Sequence, residues 1–502
     1  MLLVQKIKVK SMRFLQKVSS IILGIMFTYV LGLLFFFGNM KYINQRYYMY
    51  DNFVAVFVIL LFFLVFYIFQ SRKDISDKKY FVMLLAISFI ILGIQFFIQT
   101  YGYFTQTWDA GHLIKTVNYF SRYGIIDDMG YMTRYHNNSM LTFILILIRA
   151  IPYFGKTNFL ILIFNALLVN LAGVFTSLTV RNLTKNNKKS LAIYLFLIPL
   201  VLLSPWILVY YSDTFAILFP ILILYIYTKD KKDYRDYFFI CFCSFLGYFI
   251  KPTVIIILIA IVIVEVFANI KKIFRPKSWN KDVIIANGLS CILGIMVVLG
   301  INAAGKAYVQ YYDVPNVVKF NMIHFMAMGL NEETDGIYNG NDVGDSMSEG
   351  MDQNFRKIHD RIFNRSLDKH AQFFARKTLV NFNDGSFAWG QEGWFFSNVR
   401  ETGNKITEFI YEIILPNGLY NDYYHLIVQW IWLTVLFYVP SIIKKYNNKN
   451  ELVIILAIIG ISLFLTLFEA RARYLYCYSP IFIVAFCLGL NNVKDRIEKI
   501  VR

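Results

Sequence analysis

The chain has 502 residues, of which 57% are hydrophobic and 16% charged, and its formal net charge is +18. Soluble domains carry about 25% charged residues, and disordered chains are poor in aromatics, whereas Phe, Tyr and Trp make up 18% of this one. Both classes are excluded, and a polytopic helical membrane protein remains.

The N-terminus carries Lys6, Lys8, Lys10, Arg13 and Lys17 ahead of an apolar run over 18–38. That run is longer than a secretory h-region and has no small-residue cleavage site, so it reads as a retained first span. Further spans of about 20 apolar residues are expected at 52–70, 80–98, 157–180, 190–208, 213–228, 283–303, 421–442, 452–468 and 474–490. The stretch 238–269 is interrupted by Lys251-Pro252. Proline ends or kinks a helix and a mid-membrane lysine is costly, so it divides into 238–250 and 253–269. The 14-residue stretch 140–153, with Arg149 inside it, is read as interfacial or re-entrant. A crossing there would put every later basic loop on the wrong side.

The expectation is therefore an all-α protein of about twelve spans with both termini cytoplasmic. Of the 50 basic residues, 29 fall in seven short polar segments between or beside the spans, which is the positive-inside signature and not a nucleic-acid footprint. The long polar segment 304–420 holds 11 basic and 15 acidic residues and is placed outside the cell. Within it, Met351, Phe355, Ile358 and Ile362 lie on one face of a helix, and 366–382 forms a second helix with Ser366 as N-cap. The five cysteines all sit in apolar stretches, with no disulfide framework or zinc spacing. The organisation is a two-span N-terminal addition (1–79), a transmembrane core (80–303) with external loop 99–156, an extracytoplasmic domain (304–420) and C-terminal spans (421–502).

Ionisable residues at the membrane boundary mark candidate chemistry. Trp108-Asp109-Ala110-Gly111-His112 follows the third span. Asp109 there suits a general base toward a hydroxyl, or a metal beside a phosphate, and equally a helix-capping acid. Tyr211-Ser212-Asp213 is a short link that holds Asp213 at the outer face, where it also suits a helix N-terminus. Lys251 is a flexible point charge for phosphate, or a snorkelling lysine beside a kink. Glu469-Ala470-Arg471-Ala472-Arg473-Tyr474 places two arginines externally, against the topological bias. Arginine binds phosphate bidentately, though Glu469 and Arg473 can also pair with each other. In the outer domain, His324 and the Trp389-Gly390-Gln391-Glu392-Gly393-Trp394 segment suit a sugar-binding shelf or plain loop packing. There is no Walker A loop, dinucleotide fingerprint or serine-nucleophile elbow, which argues against an ATP-driven pump and a cytosolic nucleotide-sugar site.

The ordered series of an acid in the first external loop, a Tyr-Tyr-Ser-acid link, a Lys-Pro break and an Arg-x-Arg-Tyr before the last span resembles the GT-C superfamily. These are polyprenyl-phosphate-sugar-dependent membrane glycosyltransferases, including protein mannosyltransferases and aminoarabinose transferases. The closest likeness is to uncharacterised integral membrane members of Gram-positive bacteria. The resemblance covers roughly 80–490. It implies a lipid-phosphate sugar donor and an inverting transfer to a surface glycan such as a cell-wall polymer. Asp109 and Asp213 would be catalytic; Lys251, Arg471 and Arg473 would hold the donor phosphate. Trp108, His112, Tyr211, His324, Trp389, Glu392, Glu469 and Tyr474 would line the substrate site. A divalent metal is compatible and no other cofactor is implied; position 110 is Ala where the family's common acid pair has its second acid. The competing expectations are a lipid-linked glycan flippase or transporter, and a polymerase or ligase using a lipid diphosphate. Spans such as 52–70 and 253–269 are almost wholly apolar, which disfavours a transporter.

Overall fold

A computed structural model of the chain describes residues 2–40, 52–71, 73–151, 158–273, 281–390, 403–442 and 448–501. Among them all regular structure is helical, and no strand occurs. The first group of helices is α1 (Leu2–Phe37), α2 (Ala55–Ser71), α3 (Asp77–Gly102), α4 (Trp108–Tyr123), α5 (Met129–Arg134) and α6 (Ser139–Arg149). Next come α7 (Phe159–Thr184), α8 (Asn187–Leu197), α9 (Ser212–Phe215), α10 (Leu218–Tyr227), α11 (Tyr234–Ile250), α12 (Ile255–Ile273) and α13 (Lys281–Tyr308). Segment 304–420, called the outer domain after its place in the expected topology, contributes α14 (Met322–Gly329), α15 (Gly340–Glu349), α16 (Met351–Phe363), α17 (Leu367–Phe382) and α18 (Lys405–Ile414). The chain finishes with α19 (Asn421–Tyr438), α20 (Lys449–Leu467), α21 (Arg473–Tyr476) and α22 (Ser479–Val501).

Seven helices among the described residues are long and apolar enough to cross a bilayer: those of α1, α3, α7, α12, α13, α19 and α20. Two shorter apolar segments, Asn52–Tyr67 and Ser212–Tyr227, accompany them. The other expected spans are interrupted. Segment 190–208 breaks into α8, a π-turn over Ile198–Leu202 and a 3₁₀ turn over Pro205–Leu208, with Pro199 and Pro205 as the cause. Segment 238–250 ends at Lys251-Pro252, and 474–490 breaks at Ser479-Pro480. Seven crossings are therefore supported by length and composition, and a count of twelve is reached only by including the two shorter segments and the three broken ones. Large apolar side chains point outward, with Phe57 75%, Phe89 71% and Met296 63% exposed, as a lipid-facing surface requires. Helix α6 has 11 residues, a rise of about 16 Å against a hydrocarbon core of about 30 Å.

The broken segment 198–211 leaves carbonyls without helical partners inside the bundle, and buried amide side chains supply the missing donors. Gln95 Nε2 donates to the Leu202 carbonyl at 2.7 Å. Gln99 Nε2 donates to the carbonyls of Leu162 at 2.8 Å and Ile207 at 2.9 Å. Asn165 Nδ2 donates to Ile207 at 2.9 Å and Val209 at 3.2 Å. In a membrane, irregular backbone survives only where protein satisfies it. The phenol of Tyr476 donates to the Val201 carbonyl at 3.0 Å and that of Tyr478 to Thr253 at 2.8 Å. One strand of chain thus ties down both the 198–211 break and the Lys251-Pro252 break.

The bundle has two distinct ends. At one, Arg181 pairs with Asp77, Lys185 with Asp230, Lys229 with Asp236 and Lys449 with Glu265. At the other, the C-termini of α3, α11 and α20 and the N-termini of α4, α9, α12 and α19 converge under the outer domain. That domain is organised around Asp342, buried beneath a bidentate Arg361 (2.8 and 3.1 Å) and Lys357 (2.9 Å). These cations hold the Asp342 carboxyl down at about 2 despite its burial. The helices expected over 351–362 and 366–382 are α16 and α17, and Ser366 is the N-cap residue of the latter.

Candidate functional site

Asp213 lies in the first turn of α9, and its side chain is only 1% exposed. Lys251, the C-cap of α11, reaches Asp213 Oδ1 at 2.6 Å. A helix C-terminus favours such a cation. Arg473, which opens α21, lies 3.1 Å from Asp213 Oδ2 through Nε, a charge contact whose N–H does not line up on the oxygen. Both cations are almost fully buried. The cluster thus sets two cations on one carboxylate.

Aromatic faces carry these cations. The Arg473 guanidinium sits 4.7 Å from the ring centre of Trp108, 5.3 Å from Tyr211 and 5.7 Å from Tyr474. The Lys251 ammonium is 4.3 Å from the Tyr474 ring. Desolvated cation–π contacts are worth about 2 kcal/mol. The Tyr474 hydroxyl donates to Glu469 Oε2 at 2.8 Å, and Arg471 Nε donates to Glu469 Oε1 at 3.2 Å.

On the other flank, Asp109 sits in the first turn of α4. Its carboxylate accepts hydrogen bonds from Tyr131 at 2.7 Å and Tyr211 at 3.2 Å. The preceding residue, Trp108, has φ +43°, a left-handed conformation that strains a bulky residue by about 1–3 kcal/mol. In this conformation the indole meets Arg473 and lies edge-on to Tyr211, 5.0 Å between ring centres. Gly111 is required at the next turn, because a Cβ there would come within 2.6 Å of the Gln106 carbonyl. The residues form a continuous path: Asp109, Tyr211, Arg473, Asp213, Lys251, Tyr474, Glu469, Arg471.

His112, one turn along α4 from Asp109, is half-exposed. Its Nδ1 is 3.2 Å from Asp128 Oδ2, and its ring stacks on Tyr131 at 4.8 Å. Asp128 also caps α5 by accepting the Tyr131 backbone N–H at 3.1 Å. Tyr131 is therefore fixed by Asp128, His112, Asn138 (3.0 Å) and Asp109 together. The sequence reading did not single out Tyr131; its signal was a tyrosine in an external loop two residues past a helix-capping Asp-Met pair.

The remaining expected residues lie elsewhere. His324 is buried in the outer domain, with Nδ1 2.8 Å from Ser346 Oγ and its ring 3.9 Å from that of Phe320. Burial lowers its pKa to about 4, and nearby Glu469 only partly offsets this. Trp389 forms no sugar shelf. It is fully buried, packs on Trp206 at 5.3 Å and donates Nε1 to the Ile414 carbonyl at 2.7 Å. Two successive left-handed residues, Phe387 (φ +57°) and Ala388 (φ +62°), turn the chain inward here. The Asp384 carboxylate accepts the N–H groups of Ser386 and Ala388 and stabilises that turn. Glu392 lies outside the described residues. Among the described residues, no three His, Cys, Asp or Glu side chains gather closely enough to hold a metal ion.

The arrangement sets two cations and a carboxylate that accepts two phenol hydrogen bonds within one contact path. The molecule is an all-helical, polytopic membrane protein. Its sequence belongs to a family described as conserved hypothetical integral membrane protein, whose model matches residues 9–494. No curated protein and no solved structure matches the chain.

Proposed function

We propose that this protein is a membrane glycosyltransferase that moves a sugar from a polyprenyl-phosphate donor to an extracytoplasmic surface glycan. The observation that supports the reading is the single phenol, Tyr211, between Asp109 and the Lys251–Asp213–Arg473 cluster. A base and two buried cations held that close suit a displacement at an anomeric carbon. The acceptor hydroxyl gives its proton to Asp109 as its oxygen bonds the anomeric carbon. The bond from that carbon to the phosphate oxygen breaks, and the lipid phosphate leaves with its charge against Lys251 and Arg473. Asp213 acts in this scheme by holding both cations, not by touching the sugar. Arg471, fixed by Glu469, is the second phosphate-facing arginine, and Trp108 and His112 line the acceptor side. The lipid tail of such a donor lies in the bilayer, which accounts for a site at the end of an apolar bundle.

The test is transfer by the purified protein in vesicles containing a polyprenyl-phosphate hexose, with surface glycan extracts as acceptor. Sugar incorporation that disappears in Asp109→Asn, while the fold is intact, supports the reading. Movement of labelled lipid across the vesicle without sugar transfer, or activity with a lipid diphosphate alone, replaces it with a flippase or a polymerase.

A further inference from the structure

One buried cation lies outside the path described above. Lys377, on α17 of the outer domain, is 1% exposed. Its Nζ donates to the carbonyl of Gly329, the last residue of α14, and at 2.8 Å to that of Phe468, the C-cap of α20. One ammonium therefore serves the negative ends of two helices, a placement that the helix dipoles favour. Phe468 is followed directly by the segment that carries Glu469, Arg471 and Arg473.

The same junction is tight in the backbone. The Ala470 N–H donates to the Gly336 carbonyl at 2.7 Å. A Cβ at Gly329 would lie 2.2 Å from the Phe468 carbonyl carbon, so the two chains touch without side chains between them. Outer-domain groups brace Lys377: Arg376 binds Asp335 at 2.7 Å, and the Lys377 ammonium lies 5.7 Å from the centre of the Phe373 ring.

We infer that Lys377 is a positioning residue of the site: its ammonium pins segment 468–473 to the outer domain, and loss of that charge releases the segment. The charged groups around it are Glu469 from the pinned segment, Arg365 ahead of α17, and the Arg376–Asp335 pair; Tyr29 of α1 faces the neighbouring Thr378. Burial dominates and brings the lysine down to about 7, with Glu469 opposing the shift and Arg365 adding to it. The amine thus changes charge in the neutral range, and the pinning is strongest on the acid side. The arrangement of Glu469, Arg471 and Arg473 becomes pH-dependent through a residue that touches none of them, whichever substrate the site takes.

Hydrogen–deuterium exchange on the purified full chain in lipid nanodiscs tests this without any substrate. Amides of 468–474, corrected for the intrinsic pH dependence of exchange, lose about tenfold in protection from pH 6 to pH 8 in the wild type, following the charged fraction of the lysine. Lys377→Arg, whose guanidinium does not titrate in this range, keeps the segment protected at both values. Lys377→Met leaves it unprotected at both, and peptides from α7 change in none of the three. A wild-type segment equally protected at pH 6 and pH 8, a pH step that survives in Lys377→Arg, or a Lys377→Met segment as protected as wild type at pH 6 each overturns the inference. Should Lys377→Met not fold, the wild-type and Lys377→Arg arms decide it.

Discussion

The two ends of the helical bundle use the same residue types in opposite ways. At the basic end, Lys185 and Asp230 pair at 2.7 Å with side chains 61% and 78% exposed. Such pairs are screened by solvent and add little; they sit where inter-helix loops meet water. At the opposite end, Lys251, Asp213 and Arg473 are 6%, 1% and 7% exposed. Removing charges from water is expensive, and packed apolar residues would often stabilise a fold more than a buried ion pair does. The exposed pairs and the buried cluster therefore differ in what they cost the fold.

Substitutions break or sharpen this contrast. Asp213→Ala leaves two cations buried without their carboxylate. It is expected to cost about 3–5 kcal/mol, read as a large fall in melting temperature in detergent, whereas Asp230→Ala leaves the melt unchanged. Equal shifts in the two variants would erase the distinction. Asp109→Asn keeps the size of the side chain and removes the base, so transfer activity falls about 10²–10⁴-fold with little change in the melt. An unaltered rate would remove Asp109 from the chemistry. Gly329→Ala forces a methyl against the Phe468–Glu469 peptide and costs about 1–3 kcal/mol; its effect should exceed that of Gly340→Ala, where nothing lies within 4 Å. The last effect is on acid stability. His324 is held neutral in the fold with its pKa at about 4, against about 6.5 unfolded. Its contribution is full above that unfolded value and is lost as pH falls through the window from about 6.5 to about 4. The melt of His324→Gln should therefore depend less on pH across that window than that of the wild type.

Much of the site was legible because a charged residue between two apolar runs stands out. Asp109, Asp213, Lys251 and the Glu469–Tyr474 segment were found in this way, and all belong to one contact path. The helices at 351–363 and 367–382 were legible from periodicity and from Ser366. Aromatic residues gave a weaker guide. Trp389, flanked by glycine, reads as a binding shelf, yet two left-handed residues ahead of it fold it into the core; sequence shows the turn but not its direction. Tyr131 and Lys377 were hidden for a different reason. A tyrosine in a polar loop and a lysine within an amphipathic helix look ordinary until the distant chain arrives, and the partners of Lys377 lie 48 and 91 residues away. The interruption of 190–208 was written in Pro199 and Pro205, but the apolar composition of the stretch masked it.

The amide side chains that satisfy the broken backbone also bear on how the molecule is assembled. Gln95 and Gln99 enter the bilayer with α3, and Asn165 with α7, before the carbonyls of Leu202, Ile207 and Val209 have been synthesised. Some of their hydrogen-bonding capacity is met between α3 and α7 themselves, where Gln99 donates to Leu162 and Asn170 to Gln95. The rest needs the later chain, and a hydrocarbon solvent penalises an amide left without it, so residues 202–209 complete a polar seam that the earlier helices hold only in part.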